Sequence, residues 1–503
     1  MDKNLMEKRC IIIGSGLGGL STGVILAKNG FDVTVLEQDS QIGGCLQCFY
    51  RDGVKFETGL HFIGSADKGQ VLSNLFQYLE INKDIELSRL DASGYEVVSL
   101  AGERYKFVNG REPFIEQMAG YFPDSKDDLV KYINLIGKIA AASSFHNPNF
   151  IGSDLSVSYD YQMRSINSVL DQLIKNPRLR DVLVGNIPLY AARRDKTPFS
   201  VHAFIMDFYN NSAFRIVGGN DKIALSMANT IERLGGKVLT RQKAIRIDCN
   251  DIQATGVETA DGTFYPADLI ISDTHPVRTL EMLDTKLIRP IYRKRIMNMQ
   301  NTASCFTVYM KFKPDAVPYL NYNFYCYSNN SPWGCEDYNE SNWPKGYLYM
   351  HQCHQPNPKT AEGGVIISYM SMKDVERWQG TTIGHRGADY EQFKKEKAER
   401  LIEQVELEFP GLKGQIEHYY TSTPLTYLDY TGTIDGSMYG ILKDVSLGQG
   451  SRVPYRTKIP NLLFTGQNVN SHGALGVLVG TIMTCSALFQ DNRIFKQIIA
   501  ANE

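Results

Sequence analysis

An α/β fold with a second, α+β domain is the class this sequence predicts, on three observations. A short apolar run at residues 10–13 leads at once into a glycine-rich turn and a helical pattern. A second passage of strand, glycine and helix stands near the carboxyl terminus, over residues 461–490. Between them lie helical stretches over 112–212 and alternating aromatic runs over 303–372, such as Asn321-Tyr322-Asn323-Phe324-Tyr325-Cys326-Tyr327, a mixture of helix and sheet signals.

Cys10 to Ile13 reads as a buried strand, Gly14-Ser15-Gly16-Leu17-Gly18-Gly19 as a turn, and Leu20 to Lys28 as a helix closed by Asn29-Gly30. The glycines have G-x-G-x-x-G spacing. Gly14 permits the tight turn, Gly16 lets the backbone approach a pyrophosphate, and Gly19 lets helix pack closely on strand. The helix start offers free N–H groups and the positive end of its dipole to the phosphate. Phe31 to Leu36 is the second strand, and it delivers Glu37, placed to accept hydrogen bonds from ribose hydroxyls. Motif, flanking strands and acid agree on a Rossmann-like dinucleotide site.

Beyond Glu37 the chain reads Gln38-Asp39-Ser40-Gln41-Ile42-Gly43-Gly44-Cys45-Leu46-Gln47-Cys48. The two cysteines admit three readings: a thiol redox pair, half of a zinc site, or small side chains in a stretch that works through its glycines. A redox pair requires a low-pKa thiol at an exposed helix start. The other His/Cys cluster, His351, Cys353 and His354, lacks the paired spacing of a structural zinc site. Packing beside the nucleotide is the reading adopted for Cys45 and Cys48, with no metal.

The 503 residues allow a large core and more than one domain. With 53 basic against 55 acidic side chains, the chain has no charge excess suited to nucleic-acid phosphates. Residues 1–10 lack the layout of a signal peptide, and no long apolar run supports a spanning helix. Nine thinly spread cysteines fit a reducing cytoplasm, with peripheral contact to a membrane surface left open.

In the middle of the chain, Pro123, Pro148, Pro177 and Pro188 break the helical patterns of 112–212. Val217-Gly218-Gly219 reads as a turn before a helix over 220–234, followed by short strands at 237–239, 244–249 and 267–272, with a hairpin turn at Asp261-Gly262. Asp389 to Phe409 reads as a charged, solvated amphipathic helix. At the end, strand Asn461 to Phe464 and the glycine-rich turn that follows make a second anion-friendly helix start.

These stretches carry a resemblance. Gln41 to Cys45 resembles the second signature of the flavoproteins that include amine oxidases and carotenoid desaturases, where paired glycines close a turn against the FAD pyrophosphate. Thr423 to Thr426, Gly436 to Gly440, Thr465 to Asn468 and His472 to Gly476 are similar to the phytoene desaturase superfamily of FAD enzymes. Glu57 to Gly64 and Arg386 to Glu391 resemble its retinol saturase branch. The likeness runs from about residue 9 to 490.

The resemblance implies FAD held by Gly14, Gly16, Leu17, Gly18, Gly19, Glu37, Gln38, Gly43, Gly44 and Cys45, with Ala244 meeting the adenine through its backbone. It places Gly466, Gln467, Gly473, Leu475, Gly476 and Val477 at the flavin's polar edge. It implies a discontinuous FAD domain (1–66, 213–283 and 455–503) and a substrate domain (67–212 and 284–454) acting on carbon–carbon bonds of an apolar isoprenoid. Saturation of a polyene leads, ahead of desaturation, cis–trans isomerisation and, further off, amine oxidation; fold alone does not fix the direction.

His61 and His472 become the candidates for proton donor or flavin-tuning group, since the family brings both segments near the flavin and imidazole titrates near neutrality. His472 stands where the saturases tend to have a cysteine. His146, His202, His275, His385 and His418 have no motif context and read as structural. No second strand-G-x-G-x-x-G-helix unit serves a nicotinamide, so NAD(P)H is expected only as a transient electron donor, with a protein or quinone partner as the other source.

Overall fold

A computed structural model describes residues 8–143, 155–489 and 491–503. His146, Pro148, the helix end expected at Gln490 and residues 1–7, read for a leader, lie outside the described residues. The central sheet has five parallel strands: β1 (Arg9–Ile13), β2 (Asp32–Leu36), β3 (Lys237–Leu239), β4 (Leu269–Ser272) and β5 (Leu462–Phe464). Their order is β3-β2-β1-β4-β5, so the chain leaves this sheet and returns to it from distant segments. Ile12 pairs with Val35 on one side and Ile271 on the other. Such strands are covered on both faces, which is why they read as unbroken apolar runs.

Two helices pack together against this sheet: α1 (Leu17–Lys28) and α2 (Gly473–Ser486). Both are buried almost all round, and Ser21 Oγ meets Thr481 Oγ1 at 3.0 Å between them. α1 begins three residues earlier than the apolar pattern predicts, because Gly16 is its N-cap and Gly18 and Gly19 already lie in its first turn. α2 stops at Ser486.

The second large sheet has seven strands, in the order 416–422, 304–312, 363–370, 346–351, 323–327, 96–100 and 103–107. All neighbours are antiparallel except 323–327 against 96–100. The aromatic run obeys strand periodicity. Tyr325 and Tyr327 enter one core with residues 182–190, while Phe324 enters the core under helix Ala388–Glu408. That helix buries Tyr390, Ala398, Leu401, Ile402 and Val405 and leaves its charged side to solvent, as its pattern predicts.

Pro177 starts a helix instead of breaking one: it stands in the first turn of Pro177–Leu183, where its missing N–H costs nothing, and Asn176 caps the N–H groups of Arg178 and Leu179 at 2.9 and 3.2 Å. Among the described residues, no helix is long and apolar enough to cross a membrane.

A Cβ on Gly19 would run into the carbonyl oxygen of Gly14, which is main chain and cannot swing aside. Gly19→Ala should therefore destabilise the protein by about 1–3 kcal/mol, read as a lower denaturant midpoint at unchanged slope.

Candidate active site

One cavity of about 880 Å³ opens at the carboxyl ends of β1, β2 and β4, where open α/β sheets bind ligands. At this end it is lined by Gly14, Gly16, Leu17, Gly18, Glu37, Gln38, Gly43, Gly44, Cys45 and Ala244. Gly14 (φ 98°) and Gly43 (φ 115°) take backbone conformations that favour glycine, and a Cβ on Gly44 would come 3.4 Å from the Cα of Gly16. The bare main chain therefore forms a narrow cradle between the two glycine turns. The carboxyl-terminal wall includes Gln467, Asn468, Gly473, Ala474 and Val477, from the turn after β5 and the first turn of α2.

Ser15, which the motif leaves as a variable position, organises this end. It is fully buried; its N–H donates to Glu37 Oε2 at 3.1 Å, its hydroxyl donates to the same oxygen, and that hydroxyl accepts from the N–H of Gly43 at 3.1 Å. Glu37 Oε1 takes the N–H of Asp39 at 2.9 Å. The acid expected at a ribose is thus also the clamp that joins the two turns.

Asp273 was not singled out by its sequence context, although it follows a buried strand of the parallel sheet. Its carboxylate lies among Gly16, Gly18 and Gly466, beside the start of α1, and it lines the cavity. Burial pushes it up to about 7, while the N–H of Gly19 pulls it down and Glu37 pushes it up further. Of the expected glycines, Gly19 and Gly466 stand behind the lining, packed against Gly14 and Asp273. Leu475 and Gly476 also point away, Leu475 into the core and Gly476 against Ser471.

The paired cysteines separate. Cys45 lines the cavity, but the Cys48 thiol faces Asn220 Oδ1 at 3.0 Å, beneath the turn, so packing beside the nucleotide describes Cys45 alone. Burial pushes the Cys45 thiol up to about 11 and Cys48 higher still, opposite to what a redox pair needs. His351 accepts from the N–H of Leu320 at 2.9 Å and pairs with the Tyr349 hydroxyl, and so is committed within its sheet.

The two candidate histidines differ. His61 lines the cavity; its Nδ1 lies 3.4 Å from Glu57 Oε2, but neither ring nitrogen makes a hydrogen bond among the described residues. Arg215, itself buried, donates to the His61 carbonyl at 3.2 Å and holds the segment. His472 is outside the lining, its ring tilted against Tyr439 with centroids 4.7 Å apart. Burial, and secondarily Lys443, hold its imidazole down at about 3, so near neutral pH it has no acidic proton to give. The structure thus sets His472 behind the cavity wall, outside the lining.

Past His61 the cavity enters a chamber walled by tyrosines. Tyr327, Tyr369, Tyr427 and Tyr439 donate their hydroxyls to the main-chain carbonyls of Gly185 (2.6 Å), Ile187 (3.5 Å), Thr58 (3.2 Å) and Pro188 (3.2 Å). With the polar ends tied back, the wall is aromatic and apolar. At the rim, Arg386 pairs with Asp429 and Asp389 accepts from Trp378 Nε1 at 2.9 Å, so the Arg386 to Glu391 stretch braces the loop carrying Gln379 and Gly380.

The flavin-containing amine oxidoreductase family matches residues 17–390, and the chain belongs to it. It is 26% identical to the all-trans-retinol 13,14-reductase of Danio rerio, over 96% of this chain and 86% of that one. It is 25% identical to prolycopene isomerase 1 of an Oncidium hybrid cultivar, over 94% and 83%. An oxidoreductase structure from Methanosarcina mazei, 16% identical, superposes with a TM-score of 0.63 over 95% of this chain and all of that one, which shows the shared fold. The protein is an FAD-dependent oxidoreductase of the amine-oxidase superfamily, homologous to retinol saturase and to carotenoid-modifying enzymes.

In the native protein at pH 8, Cys45 and Cys48 should remain free thiols and react with iodoacetamide far more slowly than they do after unfolding. Peptide mapping of labelled protein checks this, and fast labelling would contradict the raised thiol pKa at Cys45 or the burial of Cys48.

Proposed function

We propose that this protein acts on the carbon–carbon double bonds of an apolar isoprenoid and that its reaction is the saturation of a polyene. The observation that carries the reading is the single cavity joining a dinucleotide cradle to a chamber of tyrosines whose hydroxyls are turned to main-chain carbonyls. Such a wall offers π-faces and excludes water, which suits a long conjugated chain better than an amine. The names of the homologues, which include a retinol reductase and a carotenoid isomerase, point the same way.

Bound FAD supplies the hydride chemistry. The chain's residues hold and orient. The turns at Gly14 to Gly19 and Gly43-Gly44 receive the pyrophosphate, Glu37 the ribose and the strand at Ala244 the adenine, while Gly473 and Ala474 present the start of α2 to the flavin's polar edge. His61 faces the cavity as the residue placed to pass a proton to the substrate, with Glu57 Oε2 3.4 Å behind Nδ1. The segments 1–66, 213–283 and 455–503 form the cofactor domain, and 67–212 with 284–454 the substrate domain. Electrons arrive from NAD(P)H in a transient encounter. The protein works in the cytoplasm, touching membranes peripherally to draw an apolar substrate.

The test mixes anaerobically reduced protein with all-trans-retinol and a small set of polyenes. Reoxidation of the flavin, a polyene spectrum moving to shorter wavelength and a product heavier by two hydrogens support saturation. Oxidised flavin that bleaches as the spectrum moves to longer wavelength marks a desaturase, and a product of unchanged mass an isomerase. A purified protein without flavin sinks the reading.

Asp273 adds a pH dependence. Above about pH 7 its carboxylate ionises beside the cradle and opposes the pyrophosphate, so binding takes up a proton. FAD affinity should fall by up to about tenfold per pH unit above that point. In Asp273→Asn the fall should vanish, as followed by flavin release between pH 6 and 9.

A further inference from the structure

Tyr209 is the exception in the tyrosine wall. It lines the cavity and is 8% exposed, yet its hydroxyl makes no hydrogen bond among the described residues, whereas Tyr327, Tyr369, Tyr427 and Tyr439 are all tied to carbonyls. The other lining tyrosines do not share its situation: Tyr347 donates to the carbonyl of Gln404 at 3.1 Å, and Tyr430 is 44% exposed at the rim. The Tyr209 hydroxyl is thus a donor open to the cavity, and a ligand that fills the chamber must either pair with it or strip it of water.

Its place is equally specific. The Tyr209 ring packs 4.9 Å from Phe62, the neighbour of His61, in the segment whose Gly59 sits against Cys45. Tyr209 therefore stands where the nucleotide cradle meets the aromatic chamber, not at the chamber's far end. Behind it is Glu96, fully buried, whose carboxyl accepts from Tyr325 at 3.1 Å and from Asn186 at 3.1 Å and has no cationic partner among the described residues. Burial first, then Glu96 and Tyr439, keep the Tyr209 phenol far above its ordinary range, so it acts as a hydrogen-bond donor and not as an acid.

We propose that the Tyr209 hydroxyl is a specificity-determining contact, donating a hydrogen bond to an oxygen carried next to the reacting double bond of a conjugated isoprenoid. This rests on the polyene reading above. It divides that substrate class: an allylic alcohol or a conjugated carbonyl compound satisfies the open donor, while a hydrocarbon polyene leaves it stranded in an apolar chamber. Sites built around a hydrogen bond reject the analogue lacking the partner far more strongly than apolar pockets discriminate by size.

The experiment compares the binding of all-trans-retinol and of its deoxygenated hydrocarbon analogue to the oxidised holoenzyme, wild type and Tyr209→Phe, by spectral titration. Wild type should prefer the alcohol by roughly tenfold or more, and the variant should lose that preference. Its affinity for the hydrocarbon should be unchanged or higher, which also shows that the variant is folded and that its chamber is intact. An equal preference in both proteins overturns the Tyr209 contact while the polyene reading stands, because both ligands still bind. A wild type that binds neither compound overturns both.

Discussion

The close approach of α1 to the end of β1 is the constraint on which the rest of the molecule depends. With no side chain at Gly19, the helix start rests on the Gly14 carbonyl; with none at Gly16 or Gly18, the same turn leaves room for one carboxylate from the end of β4. That contact fixes the distance between three neighbouring strand ends. Ser15 then carries the order sideways, binding Glu37 at the end of β2 and Gly43 in the second turn. Distant segments are held in register by small groups that touch main chain to main chain, where a single methyl is felt.

The tyrosine chamber is built by a different economy of polar groups. A phenol buried in an apolar wall loses its hydration and must recover a partner. The stretch from Gly185 to Pro188, short and irregular, supplies three such partners as main-chain carbonyls, for Tyr327, Tyr369 and Tyr439. Each contact seats a phenol on a carbonyl outside any sheet ladder; that of Ile187, in the 3-10 turn Ile187–Leu189, also takes the N–H of Tyr190 at 3.1 Å. The cavity receives rings, and the polarity is spent outside it.

Much of this was legible in the sequence, and the reason is distance along the chain. The turn from Gly14 to Gly19, its strands and Glu37 lie within thirty residues and obey local rules of spacing. The strand alternation of Asn323 to Tyr327 also told which residues share a face. What escaped was set by partners far away. Asp273 acquires its role only because β4 lies beside β1, and the contact of His472 with Tyr439 is made across distant segments. The hairpin at 96–107 joins a sheet whose other strands begin only at Ser304, so no local pattern announces its place.

Charge follows a common rule at both ends of the cavity. Asp273, half-buried near the cradle, and Lys443, buried behind the carboxyl-terminal wall, have no ion-pair partners among the described residues, the latter donating to the Asn468 carbonyl at 2.9 Å. Burial brings the acid up to about 7 and the amine down to about 7, and it leaves His472 neutral beside them. Ion pairs would have fixed these charges permanently; desolvation leaves them conditional. A site of this kind can meet a multiply charged dinucleotide with a nearly neutral lining, letting the oriented N–H groups of two helix starts supply the attraction. The fixed dipoles need no reorganisation when the anion arrives, whereas a pre-ionised lysine or aspartate would have had to be solvated in its absence.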